Sequence, residues 1–368
     1  MPPRGSRSAT TATPSSPKSA DAKADANVLA RRGSPTVINQ QLVPDAPPAM
    51  QPSRLSPALK FTALLSLRLA ISWAMHTGAE KYGWEEKEAL AGVSRHIEDV
   101  WTVGAFLAWR VFEVGIIWAC GFDYADTAAL TTLSHTPHYL LLTAFYNLPP
   151  RTALLCIFTD VLALSLPSYL LLPTSTTRTL NSPNRPLATD PFVAFTTSTF
   201  AAAVYAVILF ASLKTWLGVF LTTRFEGLRS LEAAHAAGLG GCLVVALPLG
   251  WCAREFVFTP AVAALPPAPK QAEGAPPPPP PPLEPFDPAA ATLGETFVYN
   301  LGLRGASPRA KTLLARGALL VGWTSANVFE QVWGSVKGVE PGGAAGWAGL
   351  WGAAAAVVVA GLGWIGKV

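Results

Sequence analysis

The chain has 368 residues, of which half are hydrophobic and only 14% are charged, for a net charge of +4. A soluble protein carries roughly 25% charged residues, so this composition excludes an ordinary water-facing surface and requires lipid to cover much of the molecule. No dense Lys/Arg block with interleaved aromatics occurs, which leaves nucleic-acid binding without support.

The pattern predicts an all-α, polytopic bundle of about six or seven transmembrane helices. Residues 1–56 lack apolar periodicity and are rich in Ser, Thr, Ala and Pro. Such a segment cannot bury enough apolar surface to offset chain entropy, so it reads as a disordered tail. No apolar run follows its first basic residues, so it is not a secretory signal. Arg4, Arg7 and Lys18 precede the first acidic residue, Asp21, which suits a mitochondrial transit peptide; the prolines and the lack of an amphipathic face argue against one. Ser16 and Ser34 stand before proline, and Arg31 and Arg32 precede Ser34. Both serines are candidate phosphosites, and kinase access favours a cytosolic tail.

The first span, residues 57–75, carries Arg68 and either crosses with a tilt or lies in the interface. In residues 84–100, Leu90, Val93, Ile97, Val100 and Trp101 recur at helical spacing. They predict an amphipathic helix running unbroken into a second span, 101–122. The run HYLLLTAFYNLPP, 138–150, is too short to cross and reads as interfacial or re-entrant. Spans follow at 152–173, 191–213 and 233–253, completing a membrane block over 57–259. Residues 260–311 form a Pro-rich linker with seven consecutive prolines, Pro276–Pro282. As polyproline II that run would extend about 20 Å. A last block, 312–368, holds two spans at about 312–336 and 344–365.

Trp73, Trp101, Trp118, Trp216, Trp251, Trp333, Trp347 and Trp364 fall near predicted span ends, where indoles straddle lipid and water. Lys and Arg divide almost equally between the two sides of a seven-span arrangement, so charge does not set orientation. Seven spans with a cytosolic tail would put the proline run on the opposite side; if 57–75 does not cross, tail and run share a side. Ala345, Gly349 and Ala353, and beside them Gly352, Ala356 and Ala360, repeat at helical spacing. Small residues let helices approach closely in lipid, so this helix is a candidate for packing on a neighbour or a second copy. A bias of composition toward Ala and Gly gives the same pattern.

Charges at membrane depth are costly and mark functional candidates. They are Arg68, Arg110, Glu113, Asp160 and Arg316. Arg110 and Glu113 can pair on one helix; Asp160 has no local partner and would take Arg68 or Arg316 from another. Glu330 and Lys214 lie near span ends, where they can snorkel to water.

Catalytic constellations are missing from the sequence. There is no HExxH helix, no GxSxG elbow and no glycine-rich phosphate loop. The four cysteines, Cys120, Cys156, Cys242 and Cys252, have no metal-ligand spacing. His135 and His138 are separated by Pro137, which should spoil a shared helical face. No cofactor and no metal are expected, and the chain leans away from being an enzyme.

The leading expectation is a non-enzymatic membrane organiser or adaptor. Its partners would be the bilayer, a polyproline-binding domain at Pro276–Pro282 and a packing partner or second copy at Ala345, Gly349 and Ala353. The alternatives are a solute or ion transporter using the intramembrane charges, and a lipid-modifying enzyme built on Asp123 and Asp126 beside His135 and His138. The endoplasmic reticulum or a related endomembrane is the expected location, with a mitochondrial membrane as the alternative.

Overall fold

The computed structural model describes residues 56–81, 87–96, 99–175, 178, 184–264, 292, 296, 299 and 305–365. The tail up to residue 55, with Ser16 and Ser34, and the run Pro276–Pro282 lie outside the described residues.

The helices in chain order are α1 (Pro57–Lys81), α2 (Lys87–Val93), α3 (Val100–Ala119), α4 (Tyr124–Phe145), α5 (Pro150–Leu171) and α6 (Arg185–Thr189). They continue with α7 (Pro191–Thr215), α8 (Leu217–Arg224) and α9 (Glu232–Ala236). Next is α10, which runs over Leu239–Ala253, widens into a π-turn at Arg254–Phe258 and ends as Thr259–Ala263. The last two are α11 (Pro308–Ser335) and α12 (Pro341–Ile365).

Among the described residues, six helices are long and apolar enough to cross a membrane: α1, α3, α5, α7, α10 and α12. Their outward faces carry bulky apolar side chains such as Leu107, Phe112, Phe158, Phe195 and Val244, all exposed. Water would penalise that surface; hydrocarbon does not. Two further helices reach crossing length without that apolarity. α4 has 22 residues and α11 has 28, or about 33 Å and 42 Å at 1.5 Å per residue.

α4 is the most enclosed. Its buried positions include Asp126, Thr127, Thr131, Ser134, His135, Thr136 and His138, and it packs on α5, α10 and α11. The apolar run expected at the interface is the C-terminal half of this helix. Its N-terminus is fixed by Asp123, whose carboxylate accepts from the Ala125 and Asp126 amides at 3.1 and 2.9 Å. Such an N-cap satisfies donors that would otherwise be stranded. The helix continues through Pro137, so the expected break does not occur. The Pro137 carbonyl accepts from Trp347 Nε1 at 3.1 Å. Trp347, expected at a membrane interface, is fully buried.

Contacts at the helix ends fix the topology. One end gathers the start of α1 beside the end of α3 (Phe61 on Trp118, ring centroids 6.1 Å apart). It also holds the start of α4 beside α10 (Phe122 on Phe256, 5.2 Å). The end of α12 meets the start of α11 there, through Gly363 and Leu313. We call this the tail end, because Ser56 enters here. Ala264, Pro308 and Ile365 belong to the same end. All eight long helices therefore run from end to end.

The opposite end is closed by a small backbone platform. Arg95 N donates to Ser335 O (2.7 Å) and Lys337 N to Val93 O (2.9 Å). On the other edge, Glu226 N donates to Gly338 O (2.9 Å) and Glu340 N to Arg224 O (3.2 Å). Gly338 makes the turn at φ 71°, a conformation glycine adopts without steric cost. This pairing also corrects the expected continuous helix over 84–122. The chain leaves α2 at Val93, bridges through Ser94 to Val336, and starts α3 only at Val100. Val100 and Trp101, expected on a buried face, are exposed.

The span expected at 233–253 is shifted toward the C-terminus. The short α9 turn ends at Ala236, Gly238 caps the start of α10, and α10 continues past Arg254 and Glu255 to Ala263. Arg254 and Glu255 pair with each other, and Arg254 also donates to Ala188 O, so neither charge has to leave the helix. α10 and α7 touch at Gly250, where an added Cβ would lie 2.5 Å from Ala202 N.

Candidate functional site

The parallel helices α4 and α11 meet along a seam of polar side chains. On α11 the seam follows Arg316, Thr324, Asn327, Gln331 and Ser335, at spacings of eight, three, four and four residues that keep one face. Arg316 Nη2 pairs with Asp126 at 2.8 Å. Asn327 Nδ2 donates to Ser134 O at 3.4 Å and lies 3.3 Å from His135 Nδ1. Ser335 Oγ lies 3.4 Å from His138 Nε2. From Arg316 to Ser335 is about 28 Å along a helix, close to the roughly 30 Å of a bilayer's hydrocarbon.

Two ionic clusters flank the seam. In the middle of the bundle, Glu113 on α3 pairs with both Arg68 on α1 and Arg110 one turn away, the latter at 3.2 Å. Arg68 also donates to Arg110 O at 2.8 Å. His135 Nε2 lies 3.8 Å from the other Glu113 oxygen. Arg68 and Glu113 are 6% and 2% exposed, so each depends on the other for charge compensation. Trp109 ties α3 to α11, donating to Asn327 Oδ1 at 3.0 Å and stacking on Trp323 with centroids 5.5 Å apart.

The second cluster sits at the tail end. Arg178 pairs with Asp123 (3.2 Å), Asp126 (2.9 Å) and Glu255 (2.7 Å). Arg316 donates to Phe256 O at 3.0 Å and lies over the Phe122 and Phe256 rings, each centroid 5.2 Å away. With Arg254, three guanidinium groups face three carboxylates. Burial works against the charge of Arg178, but its hydrogen bond to Glu255 and the nearby carboxylates of Asp126 and Asp123 hold its pKa above the ordinary value.

The five charges singled out from sequence therefore separate. Arg68, Arg110 and Glu113 assemble around one carboxylate. Asp160 takes neither expected arginine; it accepts from Tyr139 OH at 2.8 Å. Arg316 belongs to the tail-end cluster, paired with Asp126. Glu330 does not snorkel: both carboxylate oxygens are buried without a hydrogen-bond partner. Both side-chain polar atoms of Gln331 share that condition.

Sequence reading missed Arg178, Arg254, Glu255, Asn327 and Gln331. The signal for the α11 residues was available as polar positions 324, 327, 331 and 335 on one face. Asp123 and Asp126 do not approach His135 and His138; they lie at the start of α4, about 18 Å from His138 to Asp126 along the axis, and are engaged by arginines. Among the described residues, no group of three or more His, Cys, Asp or Glu is placed to hold a metal ion.

Apolar helices enclosing two more polar ones define an integral membrane protein of the helical, polytopic class. Within that class, residues 190–365 match the family described as the bouquet formation protein 3 C-terminal domain. The matched stretch corresponds to α7–α12; α1 to α6 lie outside it. No curated protein and no solved structure matches the chain.

Proposed function

We propose that this protein is a non-enzymatic membrane organiser, a rigid eight-helix platform that presents its tail and its proline run to soluble partners on one side. The observation that carries this reading is the common position of Ser56, Ala264, Pro308 and Ile365 at one end of the bundle. With α4 and α11 crossing beside the six apolar helices, both termini and the proline run share a side. The conflict between a cytosolic tail and a proline run on the other side then disappears.

The match of residues 190–365 to a bouquet formation protein domain supports an organising role and an endomembrane location, the endoplasmic reticulum or the nuclear envelope continuous with it. Self-association has a suitable surface. Ala345, Gly349, Ala353, Ala356 and Ala360 form an exposed stripe on α12, and a Cβ at Gly349 meets nothing within 4 Å. Ser16 and Ser34 would tune the charge of the tail, and Pro276–Pro282 would dock on an aromatic groove.

The test compares the full chain with two variants, one lacking residues 1–55 and one with Pro276–Pro282 replaced by a Gly-Ser segment. The reading predicts that both variants insert and fold, localise to endomembrane, and lose defined partners in cross-linked membranes. An unchanged partner set, or a mitochondrial location, contradicts it.

A second reading, a proton or ion transporter, is favoured by one observation: the unpartnered Glu330 and Gln331 beside a seam of membrane length. Unsatisfied polar groups at that depth are costly and are retained where water or an ion reaches them. In reconstituted vesicles this reading predicts a flux that Glu330→Gln and Asp160→Asn abolish while folding is kept. The organiser reading predicts no flux in either case.

A further inference from the structure

Beneath α9, at the platform end, lies a cavity of about 400 Å³ that the polar seam does not use. Its volume falls within the range of small-molecule sites. Leu140 and Phe145 of α4, Leu209 and Leu213 of α7, and Gly241 and Val245 of α10 line it. The wall is almost wholly apolar. Gly241 and Val245 are exposed, so the cavity opens on the side of two membrane-crossing helices, where hydrocarbon is the neighbouring phase.

Its depth can be read from the same helix. Trp216, at the end of α7, is 41% exposed, and an indole at a helix end marks the headgroup level. Leu209 is seven residues deeper, about 10 Å along the axis. Lys214 stands between the two levels. Its ammonium donates to His235 O at 2.5 Å and lies 5.9 Å from the Phe210 ring centroid. It lines a second, more polar cavity of about 270 Å³ on the other side of α9, and the two cavities share Leu213. An ammonium keeps three donors, so the bond to His235 leaves two for a phosphate.

We infer that this paired cavity is a specific seat for an anionic phospholipid of the platform-side leaflet. The first stretch of one acyl chain fills the apolar cavity, and Lys214 holds the phosphate beside α9. The apolar wall, its opening toward lipid and the Lys214 ammonium at headgroup depth select this occupant over a soluble ligand. The lipid would splint α9 and the ends of α4, α7 and α10 together, and so hold the platform at which the chain segments meet.

The test uses the full chain in phosphatidylcholine vesicles containing a minority of phosphatidylserine with a photoreactive acyl chain. After irradiation, peptide mass spectrometry locates the adducts. Adducts are expected on residues 209–213 and 238–245, above the level on other lipid-facing helices. Gly241→Phe fills the cavity from a position where an added Cβ meets nothing within 4 Å, and should reduce these adducts to background. Lys214→Gln should keep the adducts but lower the preference for phosphatidylserine over photoreactive phosphatidylcholine about fivefold, the effect of one lysine at a membrane surface. Far-UV circular dichroism and gel-filtration elution of both variants, unchanged from the parent, exclude misfolding as the cause. Adducts spread evenly over the lipid-facing helices, or unaltered by Gly241→Phe, would overturn the seat. Equal preference for the two lipids in the parent chain would overturn its anionic selectivity.

Discussion

Replacing Glu113 with leucine removes the one carboxylate between Arg68 and Arg110. Arg68 is 6% exposed, so its charge would remain in the protein interior with the Arg110 carbonyl as its remaining hydrogen-bond partner among the described residues. Arg110 loses the same partner, and the 31% of its side chain that is exposed faces hydrocarbon at mid-helix, where nothing screens it. The penalty therefore falls on both arginines. Breaking a buried ion pair costs about 3–5 kcal/mol, and an unpaired arginine at the centre of a membrane helix costs about 2.5–3.5 kcal/mol on insertion scales. We expect Glu113→Leu to destabilise the bundle by about 3 kcal/mol in equilibrium unfolding from mixed micelles. Substituting both partners of the closer pair, Arg68→Met with Glu113→Leu, removes the more buried of the two stranded charges and should recover part of that loss. A single substitution costing less than about 0.5 kcal/mol, as at an ordinary surface position, would refute the reasoning. So would a double variant whose loss equals the sum of the two singles.

Three further outcomes follow from the packing and the ion pairs. Gly250→Val should separate α7 from α10 and cost more than about 2 kcal/mol in the same unfolding assay, because its Cβ would meet the α7 backbone at Ala202. Asp126→Asn should cost about 1.5–3 kcal/mol, the worth of a charged hydrogen bond. Its loss is limited because Arg178 keeps Asp123 and Glu255, and Arg316 keeps Phe256 O. Gly349→Ile should leave unfolding unchanged while lowering the self-associated fraction in single-molecule photobleaching; an unchanged fraction would remove the α12 stripe from consideration.

The lipid-facing helices were legible in sequence because their apolarity is what hydropathy measures. α7 shows this best: it runs over Pro191–Thr215, within two residues of the expected 191–213. The enclosed helices were harder. α4 hides in its first half because Thr127, Thr131, Ser134 and His135 face protein rather than lipid, and a buried membrane helix can be polar where its neighbours satisfy it. Pro137 suggested a break, yet its helix is held by a tryptophan 210 residues later. The pairing of Arg68 with Glu113 spans 45 residues. Nothing local distinguishes it from pairing with Asp160, so the site charges were visible and their partners were not.

Topology offers the most direct test of the organiser reading. Epitopes placed before residue 1, after residue 368 and within the proline run can be probed by protease in sealed and in permeabilised microsomes. An eight-helix platform predicts that all three epitopes are cleaved or protected together. Opposite behaviour of the two termini, or of the proline run and the tail, would contradict the shared face on which the account rests.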